Sequence, residues 1–359
     1  MRLGQRSSIL SMALLFSLIP ASLAAANYSV VKRMVDGYAT YHLLDASRKM
    51  DVGIVPGIGN FVYQFKEGGN NVLVPAESLK TYAQNRQIDC GIPLLAPWAD
   101  RIDHYYYYFQ NKKYLLNGSL GNFLTTPPYN FPIHGTVVFN PNWEVIKQGA
   151  SEAGGAYITS RLEYYKYPGL VEQFPFAQIY EITYRLKDGK LENTTRVINI
   201  GKSALPVFLG YHPFFRPDGP REDWTVSIQA AKHWKVDSYK RLIPTGQTEP
   251  IDSYVPHARE FTLGKKFFDD SFSGLERNAQ GLGHYWVKGK TEKVELVFGK
   301  GFTFGHVWAP LDKTLICLEP ETSITNAFNL NHEGKFPGLT VLEPGKTFKA
   351  SFWIVPSGY

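Results

Sequence analysis

Residues 180–186, YEITYRL, put Tyr180, Ile182, Tyr184 and Leu186 on one face and Glu181, Thr183 and Arg185 on the other. This is the two-residue period of a strand with one buried side. Asp188-Gly189 follows, the dipeptide of a tight hairpin turn, and a second run ends in RVINI, so the segment is predicted as a hairpin with one wet face. KVELVF at 293–298 alternates in the same way. KTFKASFWI at 346–354 sets Phe348, Ala350, Phe352 and Ile354 on one side, after the Glu343-Pro344-Gly345 turn. Further turn signals stand at EGGN, NG and KG. Helical periodicity is weak and is confined to the neighbourhood of PAESLKTYAQNRQ. The pattern therefore predicts an all-β chain, a large antiparallel β-sandwich with few short helices.

Composition fits one large core. The chain has 359 residues, 44% of them hydrophobic and 14% aromatic, which excludes a disordered or fibrous protein. No linker, low-complexity run or internal repeat interrupts it, and a single domain over residues 28–359 is the simplest division.

The first 26 residues are read separately. Arg2 and Arg6 make a basic start, ILSMALLFSLIPASL is apolar, and Ala24-Ala25-Ala26 offers a small-residue cleavage site. Together they predict a secretory signal, because the apolar run is shorter than the roughly 20 residues of a spanning helix. The expectation is an exported chain, periplasmic or extracellular, with no stable membrane association after cleavage. Removing Arg2 and Arg6 takes the net charge from +6 to +4. The remaining basic residues are scattered singly, which argues against a nucleic-acid or polybasic membrane footprint. Cys90 and Cys317 are too few for a disulfide framework, and the sequence leaves open whether they form one bridge or two buried thiols.

Several chemistries drop out. GIVPGIGNF at 53–61 lacks the glycine spacing of a dinucleotide site and reads as turn glycine. There is no G-x-S-x-G elbow and no phosphate-binding P-loop. The nine histidines include no H-x-H or H-x-x-x-H pair, so no local zinc site is expected. Four segments instead embed polar chemistry in apolar or aromatic sequence: GIPLLAPWADRID at 91–103, IHG at 133–135, LPVFLGYHPFFRP at 205–217, and CLEPETSITNAFN at 317–329. A sugar site needs this mixture, rings to cover C–H faces and a few aimed polar groups. Trp98 and Trp308 are the candidate stacking platforms. The run Tyr105–Phe109 reads as strand core. Alternation cannot choose between Glu319 and Glu321, which share a face on an extended strand.

The order of these motifs resembles the aldose 1-epimerase (mutarotase) family of the galactose-mutarotase-like superfamily. G-I-P-x-L-x-P-W-A-x-R-I is followed by I-H-G with Trp143, by the Y-E-I-T-Y-R-L-x-D-G-x-L hairpin, by G-Y-H-P-F-F, by F-D-D-S-F, and by C-L-E-P with N-A-F-N. The resemblance runs from about Asn71 to the C-terminus and implies a β-supersandwich and a cofactor-free isomerase acting on a free aldose. It implies Glu319 as catalytic base and His212 as catalytic histidine. It further implies His134 near the ring oxygen, Arg101 as a sugar-binding arginine and Asp269 as an acid that binds sugar hydroxyls; the platform candidate Trp308 joins them as a substrate-binding residue on its aromatic character alone. Thr136 stands where the family usually has an aromatic, and Glu321 where an apolar or amide residue is commoner.

The chemistry asks for little more. Exchanging anomers requires a base for the C1 hydroxyl proton and an acid for the ring oxygen. Glutamate and histidine, with ordinary pKa values of about 4.3 and 6.5, supply both if imidazolium is modestly stabilised. No metal or nucleotide is demanded, and the expected partner is a neutral hexose-like aldose. Two other readings stay open: a noncatalytic carbohydrate-binding protein on the same fold, and a glycosidase pairing Glu319 with Asp269.

Overall fold

The computed structural model describes Met1 and residues 26–359; the expected signal segment lies, but for its ends, outside the described residues. Within them the chain is a succession of antiparallel strands in three main sheets. A five-stranded meander occupies Tyr28 to Asn71.

The nine-stranded sheet contains the predicted hairpin, Gln178–Lys187 and Lys190–Asn199, as its third and fourth strands. The hairpin closes through Asp188 at φ 50° and Gly189 at φ 75°, the double left-handed turn that matches strand twist. Tyr180, Ile182, Tyr184 and Leu186 are buried, as their alternation predicts. Thr347–Ser357 lies beside the hairpin and Lys293–Phe298 beside that, so all three segments read as strands from the sequence pair in one sheet.

The eight-stranded sheet carries the chemistry. Its order runs Pro244–Pro250, Ala230–Val236, Phe268–Leu275, Phe304–Ala309, Ile316–Glu321, Gly210–Tyr211 and Leu94–Leu95, with Phe214–Phe215 also paired to Ile316–Glu321. One face packs on the nine-stranded sheet: Tyr211 lies 5.0 Å from the ring of Phe352 and bonds the hydroxyl of Thr195. Val307, Leu318 and Phe272 are fully buried on this side. Each such apolar side chain contributes about 1.5–3 kcal/mol by leaving water, and a one-residue slip of any strand would turn that set outward. The register is thereby fixed, and with it the residues that point the other way.

The expected helix near residue 80 is short, Leu79–Asn85, capped by Ser78. GIVPGIGNF forms the end of one strand, a turn and the start of the next, as read. Tyr107 and Phe109 are core, whereas Tyr105 is partly exposed. Cys90 and Cys317 are both free and buried, in separate apolar clusters. No helix among the described residues is long and apolar enough to cross a membrane.

Candidate active site

The outward face of the eight-stranded sheet presents a row of side chains across neighbouring strands. Ser271 is paired with His306, and His306 with Glu319. Gly210 sits opposite Glu321 and Phe214 opposite Cys317, which sets His212 beside Glu319. The next row holds Asp269 opposite Trp308. Period-two geometry thus gathers residues far apart in sequence into one patch.

Two loops wall the patch. The 96–103 segment runs beside residues 133–136 through bridges Ala96 to Gly135 and Arg101 to Ile133. His134 N–H donates to the Asp100 carbonyl, and Thr136 N–H to that of Ala96. Gly135 has φ 70°, and a Cβ there would meet the Ala96 carbonyl oxygen at 2.0 Å, so I-H-G needs its glycine for close approach. The N-A-F-N motif anchors the same loop: Asn326 N–H donates to the Arg101 carbonyl, its side chain accepts from Asp103 N–H, and the Asn329 amide donates to Asp103 and Tyr106 carbonyls.

The resulting pocket has a volume of about 150 Å³ and is bordered by Arg101, His134, His212, Asp269, Trp308 and Glu319, all six of the residues singled out in the sequence. Such a volume corresponds to about five water molecules at roughly 30 Å³ each, room for a small polar molecule. His306 and Asp100 also line it; the sequence reading passed them over. The alternation of FGHVWAP contains the signal for His306, which must share a face with Trp308 two residues on. Trp98 is a correction: it is fully buried against Phe123, away from the pocket, and cannot be a stacking platform.

His212 Nε2 lies 3.4 Å from Glu319 Oε1. The imidazole is stacked on Phe214, with centroids 4.5 Å apart, and meets the edges of Trp308 and His134. Burial, reinforced by His134 and His306, pushes the His212 pKa well below the usual histidine range. This corrects the expectation of a stabilised imidazolium: the apolar, histidine-rich surroundings favour the neutral ring. Glu319 moves the opposite way. Burial pushes it well above the carboxylate range, His306 opposes, and Glu321, Asp100 and Asp269 add to the rise. Both shifts favour the uncharged form of the group concerned.

A second group balances itself. Arg101 donates bidentately to Asp269, at 3.1 and 2.7 Å, and to Asp100 at 2.8 Å. His306 bonds Asp269 Oδ1 through Nε2 at 3.2 Å and Ser271 Oγ through Nδ1 at 3.1 Å. Against burial, Arg101 and His306 hold Asp269 well below its usual range. Burial works against charge on His306 too, but Asp269, Asp100 and Glu319 raise its pKa to about 10. His134 is pushed down to about 3 by burial, Arg101 and His306, and its Nδ1 has no partner among the described residues. Asp100, Asp269 and His306 approach within 4.8 Å of one another, a spacing in which a cation could sit, yet Arg101 already supplies positive charge there.

Glu321 does not reach the pocket. It is fully buried opposite Gly210, where a Cβ would stand 2.9 Å from Glu321 Cγ, and both carboxyl oxygens lack partners among the described residues. Burial, opposed by His306 and assisted by Asp100 and Asp269, lifts its pKa to about 8. Thr136, where an aromatic was usual, bonds the buried Tyr164 hydroxyl at 3.2 Å.

The sequence profile of the aldose 1-epimerase family matches residues 46–354. Solved structures of similar fold include a galactose mutarotase-like protein from Clostridium acetobutylicum, 20% identical, TM-score 0.79, covering 93% of this chain and 99% of that one. A protein from Synechocystis sp. PCC 6803 is 24% identical with TM-score 0.70, covering 92% and 99%. Galactose 1-epimerase from Lactobacillus acidophilus is 14% identical with TM-score 0.71, covering 93% and 100%.

Proposed function

We propose that this chain, which belongs to the aldose 1-epimerase family, interconverts the α and β anomers of a neutral free aldose by general acid–base ring opening. The observation that carries the reading is the Glu319–His212 pair, 3.4 Å apart in a small polar pocket. A carboxyl and an imidazole side by side supply one group for each half of the reaction.

In this reading Glu319 takes the proton of the C1 hydroxyl while His212 gives one to the ring oxygen. The C1–O bond to the ring oxygen breaks, the electron pair of the former C1 hydroxyl forms the aldehyde, and rotation about C1–C2 exposes its other face. Reclosure returns both protons. Proton transfers of this kind are typically worth about 100- to 10,000-fold each. Arg101 and Asp269, locked together, offer a fixed fork of donors and a carboxylate edge to hydroxyls. His134, neutral, is assigned to the ring-oxygen side, and Trp308 to a C–H face.

Charge supports a neutral substrate. Arg101 and His306 are each bonded to a carboxylate, so neither of these pocket cations is free for a phosphate. A glycosidase built on Glu319 and Asp269 would likewise pair a carboxyl of raised pKa with one held as an anion, so charge does not separate that reading and a hydrolysis assay does. Export of the mature chain is part of the proposal and rests on the N-terminal sequence alone. Polarimetry of neutral aldoses beside aryl-glycoside hydrolysis separates the readings. Mutarotation without hydrolysis is expected, hydrolysis would favour the glycosidase, and binding with neither would favour a lectin-like role.

A further inference from the structure

We propose that His306 is a positioning residue of this site, a buried imidazolium that ties Asp269 to Ser271 and stands across the strand pair from Glu319 so that the base is available as a carboxylate. The inference rests on the acid–base reading of Glu319 and adds a residue that reading does not require.

Geometry assigns the role. Both ring nitrogens are spent, Nε2 on Asp269 Oδ1 at 3.2 Å and Nδ1 on Ser271 Oγ at 3.1 Å, so His306 has no nitrogen left for a sugar although it borders the pocket. Directly opposite residues on antiparallel strands have Cβ atoms about 4.5–5.5 Å apart, and the register puts Glu319 there. His306 is 4% exposed, where a charge interacts with its neighbours far more strongly than in water.

The groups around it decide its charge. From its own sheet come Asp269 on one side and Glu319 and Glu321 on the other. The 96–103 loop contributes Asp100, whose Oδ2 is 3.8 Å from Nδ1, and Arg101, itself paired to both aspartates. His134 faces it from the 133–136 loop and His212 from the sheet beyond Glu319, and burial lowers the pKa of both. Carboxyl groups outnumber the one other cation, and the balance favours imidazolium, in keeping with the raised pKa of about 10. The same interaction seen from Glu319 is the largest that pulls its pKa down against burial and three acids. With His306 neutral, what opposes them is Arg101, already shared between Asp100 and Asp269.

The test compares the full chain with His306→Gln, which keeps hydrogen-bonding capacity and removes charge. Glu319 is followed by carbon-13 NMR of labelled glutamate, and kcat/KM for mutarotation is measured from pH 5 to 10. The proposal expects the Glu319 titration and the acid limb of kcat/KM to move upward together by at least about one pH unit in the variant, with activity lost at pH 7 by about tenfold or more and largely regained at high pH. Loss by one factor at every pH, with the Glu319 titration unmoved, would overturn it. Nitrogen-15 NMR of the His306 ring in the unaltered protein gives an answer even where the variant does not fold: charge retained at pH 8 supports the proposal, and a neutral ring at pH 7 contradicts it. Should the unaltered protein mutarotate no aldose, the functional reading fails, and the Glu319 and His306 titrations still decide this one.

Discussion

His212 Nε2 and Glu319 Oε1 stand 3.4 Å apart, and their surroundings push the two pKa values toward each other's ordinary territory, the acid up and the base down. Two groups this close act as one unit in a proton-transfer step. His212→Asn and Glu319→Gln are each expected to lower kcat by at least roughly 100-fold, and the double variant by clearly less than the product of the two losses. Mutarotation kinetics of the three proteins provide the check, and full additivity would mean that the residues act in separate steps.

Glu321 gives a prediction about stability. Its folded pKa of about 8 exceeds the ordinary value, so the folded state binds its proton more tightly than the unfolded one. The stabilising contribution is complete below about pH 4.3 and is lost as pH rises through about 8. Glu321→Gln, which cannot ionise, should gain on the unaltered protein by on the order of 3 kcal/mol between pH 5 and pH 8. Tm differences across that range measure it; a constant difference would show that the carboxyl ionises freely in the fold. Mutarotation by this variant should stay within a few-fold, since Glu321 does not line the pocket.

Asp269 carries the opposite sign. Its folded pKa is depressed by Arg101 and His306, so its stabilisation is present above about pH 3.9 and is lost as pH falls through the folded value. Asp269→Asn leaves Arg101 and His306 short of a buried counter-charge, a loss of about 3–5 kcal/mol at pH 7, and the gap in Tm should narrow toward pH 2. Sugar affinity should fall as well, read by calorimetry wherever the variant remains folded.

Substrate charge follows from the same locked ions. A neutral hexose should be preferred over its 6-phosphate by at least about tenfold in kcat/KM, because neither Arg101 nor His306 is free to leave its carboxylate. A coupled mutarotation assay with both substrates checks this, and a clear preference for the phosphate would require a cation from outside the six residues named at the pocket.

The strands were legible in the sequence where one face is wet: the 178–199 hairpin, 293–298 and 347–357 all announce themselves by alternation. The short strands at Leu94, Gly210 and Phe214 were not, because they are buried on both faces and carry no period of two. The six residues assigned from the sequence border one pocket, five of them chosen through ordered motifs and Trp308 as an aromatic platform, since nothing in the spacing of Arg101 and Asp269 says that they meet. His306 was missed for a related reason: a lone histidine in an apolar run reads as core until the register sets it between Ser271 and Glu319. Trp98 erred in the other direction, its place beside a polar motif suggesting a platform while its side chain turns inward.

Polarimetry on anomerically pure neutral aldoses, run with the unaltered protein and with Glu319→Gln, tests the central claim most directly. The account predicts that the unaltered protein speeds the approach to anomeric equilibrium for at least one aldose, that Glu319→Gln is slower by at least roughly 100-fold, and that the variant still binds the sugar within about an order of magnitude. Equal rates for the two proteins, or binding of aldoses with no acceleration by the unaltered protein, would contradict it.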